Sequence, residues 1–136
     1  MNTIEYNHTS MDYLINGKPL LLHLKKHEDV ISEHYIPAFL SQSLTSERLN
    51  NNSEPDLIND NIAIYLCSHC GDYDGTPIGL KVRIDEDSVT WFQIGYYSDY
   101  DEGVNHPFNK VREYTFTKEN YLEFITEVKI HELNAI

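Results

Sequence analysis

From Ile78 to Asp85 the chain alternates: Ile78, Leu80, Val82 and Ile84 are aliphatic, while Gly79, Lys81, Arg83 and Asp85 are small or charged. A period of two sends the aliphatic four to one face of a strand and the rest to the other. Asp85-Glu86-Asp87-Ser88 suits a tight turn, and the run Val89–Tyr97 after it is rich in β-branched and aromatic residues. The pattern predicts a hairpin, with Trp91 and Phe92 as core residues and Tyr96 and Tyr97 finishing the second strand on opposite faces. Ile62–Leu66 predicts a third strand, ending where Cys67-Ser68-His69-Cys70-Gly71-Asp72 begins.

On the N-terminal side, Thr3–Tyr6 predicts a short strand and Asp12–Leu20 a hairpin. Asn16-Gly17 between apolar residues is a strong turn signal, because both types tolerate positive φ. Pro19 is suited to open a helix over Leu20–His27. A second helix is expected over Asp29–Leu44, burying Ile31, Tyr35, Phe39 and Leu40, with Pro37 breaking or kinking it. Residues 45–61, with Asn50, Asn51, Asn52, Ser53, Pro55 and Asn59, read as a flexible loop. Gly103–Asn109 reads as another loop and Val111–Thr117 as a fourth strand of the central sheet. Thr117 is suited to cap a C-terminal amphipathic helix in which Tyr121, Phe124, Ile125 and Val128 recur at helical spacing. Strands in the middle and helices at the ends predict an α+β fold: a mainly antiparallel sheet flanked by N-terminal helices and one C-terminal helix.

Length and composition narrow the picture. With 136 residues, 40% of them hydrophobic, the chain fits a single domain over residues 1–136 with a core of ordinary size. No apolar run approaches the ~20 residues of a membrane helix, and the N-terminus lacks a basic stretch followed by an apolar one. Two cysteines three positions apart do not make a disulfide framework, which fits a reducing cytoplasm. Ten basic against 22 acidic residues give a net charge of −12, which disfavours nucleic acid and anionic membranes and favours basic partners. Asp72, Asp74, Asp85, Glu86, Asp87, Asp99, Asp101 and Glu102 all fall at strand ends or loops of the central region.

Cys67-Ser68-His69-Cys70 is the one motif with metal or redox spacing. A structural zinc site needs four ligands, usually from two such pairs. Here one pair is present, with Cys67, His69 and Cys70 as ligand candidates and Asp72, Asp74 or His106 to complete a set. A redox pair needs its first cysteine at a helix N-terminus, whereas Gly71–Pro77 is a turn-rich acidic loop whose carboxylates raise a thiol pKa. The residues therefore favour structural cysteines, no metal and no cofactor. His23 and His27 share a helix face without the glutamate of a metalloprotease motif, and read as half-exposed helix histidines. Neither a glycine-rich phosphate loop nor a serine elbow is present, and no catalytic residue stands out.

The pattern of a strand ending in C-x-x-C-G-D, then Ile-Gly-Leu-Lys-Val-Arg-Ile, Val-Thr-Trp, Ile-Gly-Tyr and an acidic Tyr-Asp-Glu close resembles a family of small bacterial proteins. Some are loosely labelled oxidoreductases, and some resemble immunity proteins of contact-dependent growth inhibition and polymorphic toxin systems. The likeness covers residues 62–102, and Asn16-Gly17-Lys18 is similar to an early NGK in that family. Where a further cysteine is expected after the C-x-x-C, this chain has Asp72-Tyr73-Asp74-Gly75-Thr76, which argues against a metal or redox role. The resemblance implies a cytoplasmic immunity protein that neutralises a toxin. The residues separately suggest a binding surface for a basic, nuclease-type toxin domain, formed by Asp72, Asp74, Tyr96, Tyr97, Asp99, Tyr100, Asp101 and Glu102. Tyrosines offer contact area at low entropic cost, and carboxylates complement the cationic cleft of a nuclease. A metal- or thiol-dependent enzyme using Cys67 and Cys70, and an interaction module without a toxin, are the alternatives.

Overall fold

The computed structural model describes residues 1–27, 35–40, 42–67, 77–97, 105–108 and 113–134. The chain is α+β. A small sheet holds β1 (Ile4–Asn7), β2 (Asp12–Ile15) and β3 (Lys18–Pro19) in that order. Asn16 and Gly17 make the β2–β3 turn with φ of 53° and 81°, the geometry expected of that dipeptide. Helix α1 (Leu20–His27) starts directly after Pro19 and buries Leu20 and Leu24.

The larger sheet has the order β4 (Tyr35–Pro37), β5 (Ile62–Cys67), β6 (Ile78–Ile84), β7 (Ser88–Tyr97), β8 (Asn105–Pro107), and β9 (Tyr114–Thr117) also pairs with β7. All these pairings are antiparallel. β8 and β9 share one edge of β7, β8 against Gly95–Tyr97 and β9 against Ser88–Trp91. Helix α3 (Lys118–Asn134) closes the main core with Tyr121, Phe124, Ile125 and Val128, the four residues its spacing predicts. Thr117 Oγ1 accepts from the Asn120 amide at 3.2 Å, which is the expected cap.

The central hairpin follows its pattern on β6, with one refinement. Ile78 and Leu80 are buried, but Val82 and Ile84 are only half-buried at the margin of the core. On β7 a bulge breaks the parity. Gly79 faces Gly95 while Lys81 faces Phe92, so β7 carries one extra residue, and Gln93 absorbs it at φ 52°. Val89 and Trp91 before the bulge and Ile94 and Tyr96 after it therefore pack against the same main core. Tyr97 passes to the opposite face, into a second cluster with Ala38, Leu57, Ala63 and Leu66. Phe92 is half-buried under the Arg83 guanidinium, 5.8 Å from the ring centroid, and so is not a core residue like Trp91.

Three expected elements differ. Over the described part of Asp29–Leu44 there is no continuous helix: Tyr35–Pro37 is edge strand β4 and Ala38–Leu40 a single 3-10 turn. Ile36 precedes proline, which disfavours the helical region, and an edge strand tolerates the missing N–H of Pro37. Residues 45–61 are not loop throughout. α2 (Thr45–Leu49) buries Leu49 and is tied to α3 by Ser46, whose amide and hydroxyl donate to the Glu132 carboxylate at 2.9 and 2.6 Å. Residues Ile58–Asp60 form a 3-10 turn. Within Gly103–Asn109, Asn105–Pro107 is strand β8. No helix among the described residues is long and apolar enough to cross a membrane.

Candidate functional site

Strand pairing brings five strand termini to one end of the larger sheet. Tyr35 begins β4 opposite Cys67 at the end of β5, Ile78 begins β6 opposite Tyr65 and Tyr96, and Tyr97 ends β7 opposite Asn105 at the start of β8. The segments 28–34, 68–76 and 98–104 therefore all attach at this end. They carry three, two and three carboxylates, and no lysine or arginine. Asp72, Asp74, Asp99, Tyr100, Asp101 and Glu102 lie in these segments, outside the described residues, as do His69, Cys70 and the side chains of Cys67 and His106. Asp85, Glu86 and Asp87 belong to the opposite end, in the β6–β7 turn, where Lys118 Nζ donates to the Asp85 and Glu86 carbonyls at 3.0 and 3.3 Å. Asp85, Glu86 and Asp87 thus stand at the other end of the sheet from the points where the segments carrying the other five acidic positions attach.

Of the predicted contact residues, two are described. Tyr96 is half-buried and meets Phe108 edge to face, with ring centroids 4.9 Å apart. Tyr97 is 1% exposed, and its hydroxyl donates to the Gln93 carbonyl at 2.6 Å. Burial pushes its pKa up to about 12. Its assignment to a partner-binding surface is therefore corrected: the bulge at Gln93 turns this side chain into the second hydrophobic cluster. His23 is half-buried on α1, its Nε2 at 2.8 Å from the Ile15 carbonyl.

The second face of the sheet carries a cleft of about 450 Å³, lined among the described residues by Asn59, Asp60, Asn61, Lys81, Gln93, Tyr97 and Pro107. The turn on one wall is firmly held. The Leu57 amide donates to the Asn61 carbonyl at 2.9 Å, and the Asn61 side-chain amide donates to the Ile58 carbonyl at 2.9 Å. Asp56, just before the turn, accepts from the Ala63 amide at 2.9 Å and lies 3.5 Å from the Arg48 guanidinium. Asn59, Asp60 and Gln93 all have positive φ, at 60°, 63° and 52°. The left-handed region costs an ordinary residue about 1–2 kcal/mol. Asn and Asp tolerate it better than Gln, so Gln93 is the more costly of the three. Asn61 is 1% exposed, and its Oδ1 is a buried acceptor without a hydrogen-bond partner. Apart from Tyr97, the sequence assigned none of the cleft's residues to a site. Asn59-Asp60-Asn61 carried a signal for left-handed backbone, whereas Gln93 carried none.

A third cluster lies where β1 meets α3. His8 Nε2 stands 2.9 Å from Glu127 Oε2 in an exposed pair, and the Tyr6 hydroxyl lies 3.0 Å from His131 Nδ1. Desolvation, then the Glu127 charge, raise the Tyr6 pKa, so this phenol stays a neutral hydrogen-bonding group. Among the described residues no three of His, Cys, Asp and Glu are arranged to hold a metal ion. No family model, no curated protein and no solved structure matches this chain.

Proposed function

We propose that this protein is a cytoplasmic immunity protein that binds a basic toxin domain, a nuclease foremost, and neutralises it without catalysis of its own. The observation that carries the reading is the eight carboxylates, with no lysine or arginine, on the segments attached to one end of the sheet, in a chain of net charge −12. A nuclease must hold a polyanion, so its active cleft is cationic, and an acidic surface competes for it. Long-range attraction speeds capture, which matters against a toxin that turns over. Neither nucleic acid nor a membrane is a partner in this reading, and no cofactor takes part. Asp72, Asp74, Asp99, Tyr100, Asp101 and Glu102 supply the contacts, with Tyr96 at their base.

The test replaces Asp99, Asp101 and Glu102 together by Lys. The candidate toxin is sought in the gene directly upstream, and is titrated with parent and variant at low and high salt, beside a growth-protection assay. Slower association, loss of protection and an unchanged melting temperature are expected. Unaltered affinity and protection in the folded variant remove this surface from the mechanism. Cys67→Ser with Cys70→Ser should retain protection; a folded double variant that loses it, or stoichiometric bound zinc, returns the enzyme reading.

A further inference from the structure

The cleft beneath the Asn59–Asn61 turn presents a chemistry different from that of the acidic segments. Asp60 and Lys81, of opposite charge, both line it, and neither has an ion-pair partner among the described residues. Asn61 adds a buried acceptor with nothing to accept from, although its own amide is used by the Ile58 carbonyl. Gln93 adds an exposed carboxamide, carried on a backbone whose carbonyl is held by the Tyr97 hydroxyl at the bulge. Acceptors and a negative charge thus stand on the turn, and a positive charge and an amide donor on the sheet.

We propose that this cleft binds a small zwitterion of the α-amino-acid type, its ammonium received by Asp60 and Asn61 Oδ1 and its carboxylate by Lys81 and Gln93. A ligand with both charges satisfies two unpaired groups and one orphaned acceptor at once, whereas a simple anion or cation satisfies one side and is repelled by the other. Because Asn61 Oδ1 is closed to solvent, engaging it takes a small outward shift of the turn. The volume of about 450 Å³ lies in the range of small-ligand sites.

The experiment records amide and side-chain NH₂ resonances of the full chain while L-alanine, acetate or methylammonium chloride is added. L-alanine should give saturable shifts at the Asn59, Asp60 and Asn61 amides and at the Gln93 and Asn61 NH₂ groups, and acetate and methylammonium should not. Lys81→Met changes a half-exposed side chain that packs into no core, so it should fold and bind L-alanine at least tenfold more weakly. Saturation by acetate or methylammonium alone, shifts unchanged in Lys81→Met, or no saturable shift with L-alanine each overturn the proposal. A crystal grown with L-alanine that shows only an ordered water on Asn61 Oδ1 does so as well.

Discussion

Gly79 shows how much one missing methyl group decides. A Cβ there would stand 2.6 Å from Leu57 Cδ1, 3.1 Å from the Ile62 carbonyl and 3.2 Å from Tyr97 Cδ2. The leucine tip can move, but the carbonyl belongs to the sheet and the Tyr97 ring is pinned through its hydroxyl. Gly79→Ala should therefore destabilise the protein by about 1–3 kcal/mol, read as a lower urea midpoint with an unchanged slope. A neutral substitution would mean that the second cluster yields more readily than its burial implies. Gly79 stands in the alternating stretch as a polar-side residue, and nothing in the sequence marks it as a contact point for Leu57, 22 positions earlier.

At the scale of elements, the alternation on β6 sets a graded test. Leu80 is fully buried, while Val82 packs at the core margin. Leu80→Asp buries a carboxylate without a partner and should unfold the protein or leave it melting without cooperativity. Val82→Asp lets its charge reach water and should remain folded with a lowered melting temperature. Equal effects in circular-dichroism melts would show that β6 is buried evenly along its length. The hairpin, the first turn and α3 were legible because their periodicity is long or their turn chemistry specific: Asn16-Gly17, the β6 alternation, and Tyr121, Phe124, Ile125 and Val128. What escaped is short or nonlocal. β4 has three residues and α2 five, so neither shows a period. The parity of β7 changes at Gln93, a residue type with no turn preference, and with it goes the side on which Tyr97 lies. The cleft joins residues 59–61 to Lys81 and Gln93 through sheet register, which spacing along the chain does not reveal.

At the scale of the molecule, buried phenols set the alkaline limit. Burial raises the pKa of Tyr97 from 10.0 to about 12. Tyr13 and Tyr65 are raised well above the usual value by burial and then by the nearby Asp12, and Tyr121 is raised by burial. The folded state holds these protons at a pH where the unfolded chain releases them. Their contribution to stability is complete below pH 10.0 and is lost progressively above it. Urea midpoints should therefore fall steeply on the alkaline side, with tyrosinate absorbance appearing together with unfolding. Tyr97→Phe should lessen the slope between pH 10.0 and about 12; an identical slope would place the Tyr97 hydroxyl in solvent.

The clasp between the first strand and the last helix bears on time as well as on energy. Asn120 accepts from the Ile4 amide at 2.8 Å and donates to the Ile4 carbonyl at 3.0 Å, joining residues 116 positions apart. Asn2 bridges Phe116 beside it. The main core thus stays incomplete until α3 has left the ribosome, because until then Tyr13 lacks its contact with Phe124, and Trp91 its contacts with Tyr121 and Phe124. A search across so long a loop puts folding at milliseconds to seconds rather than microseconds, on the order of other domains dominated by distant contacts. For the newborn chain, the interval before that clasp forms is when chaperones and proteases have their access.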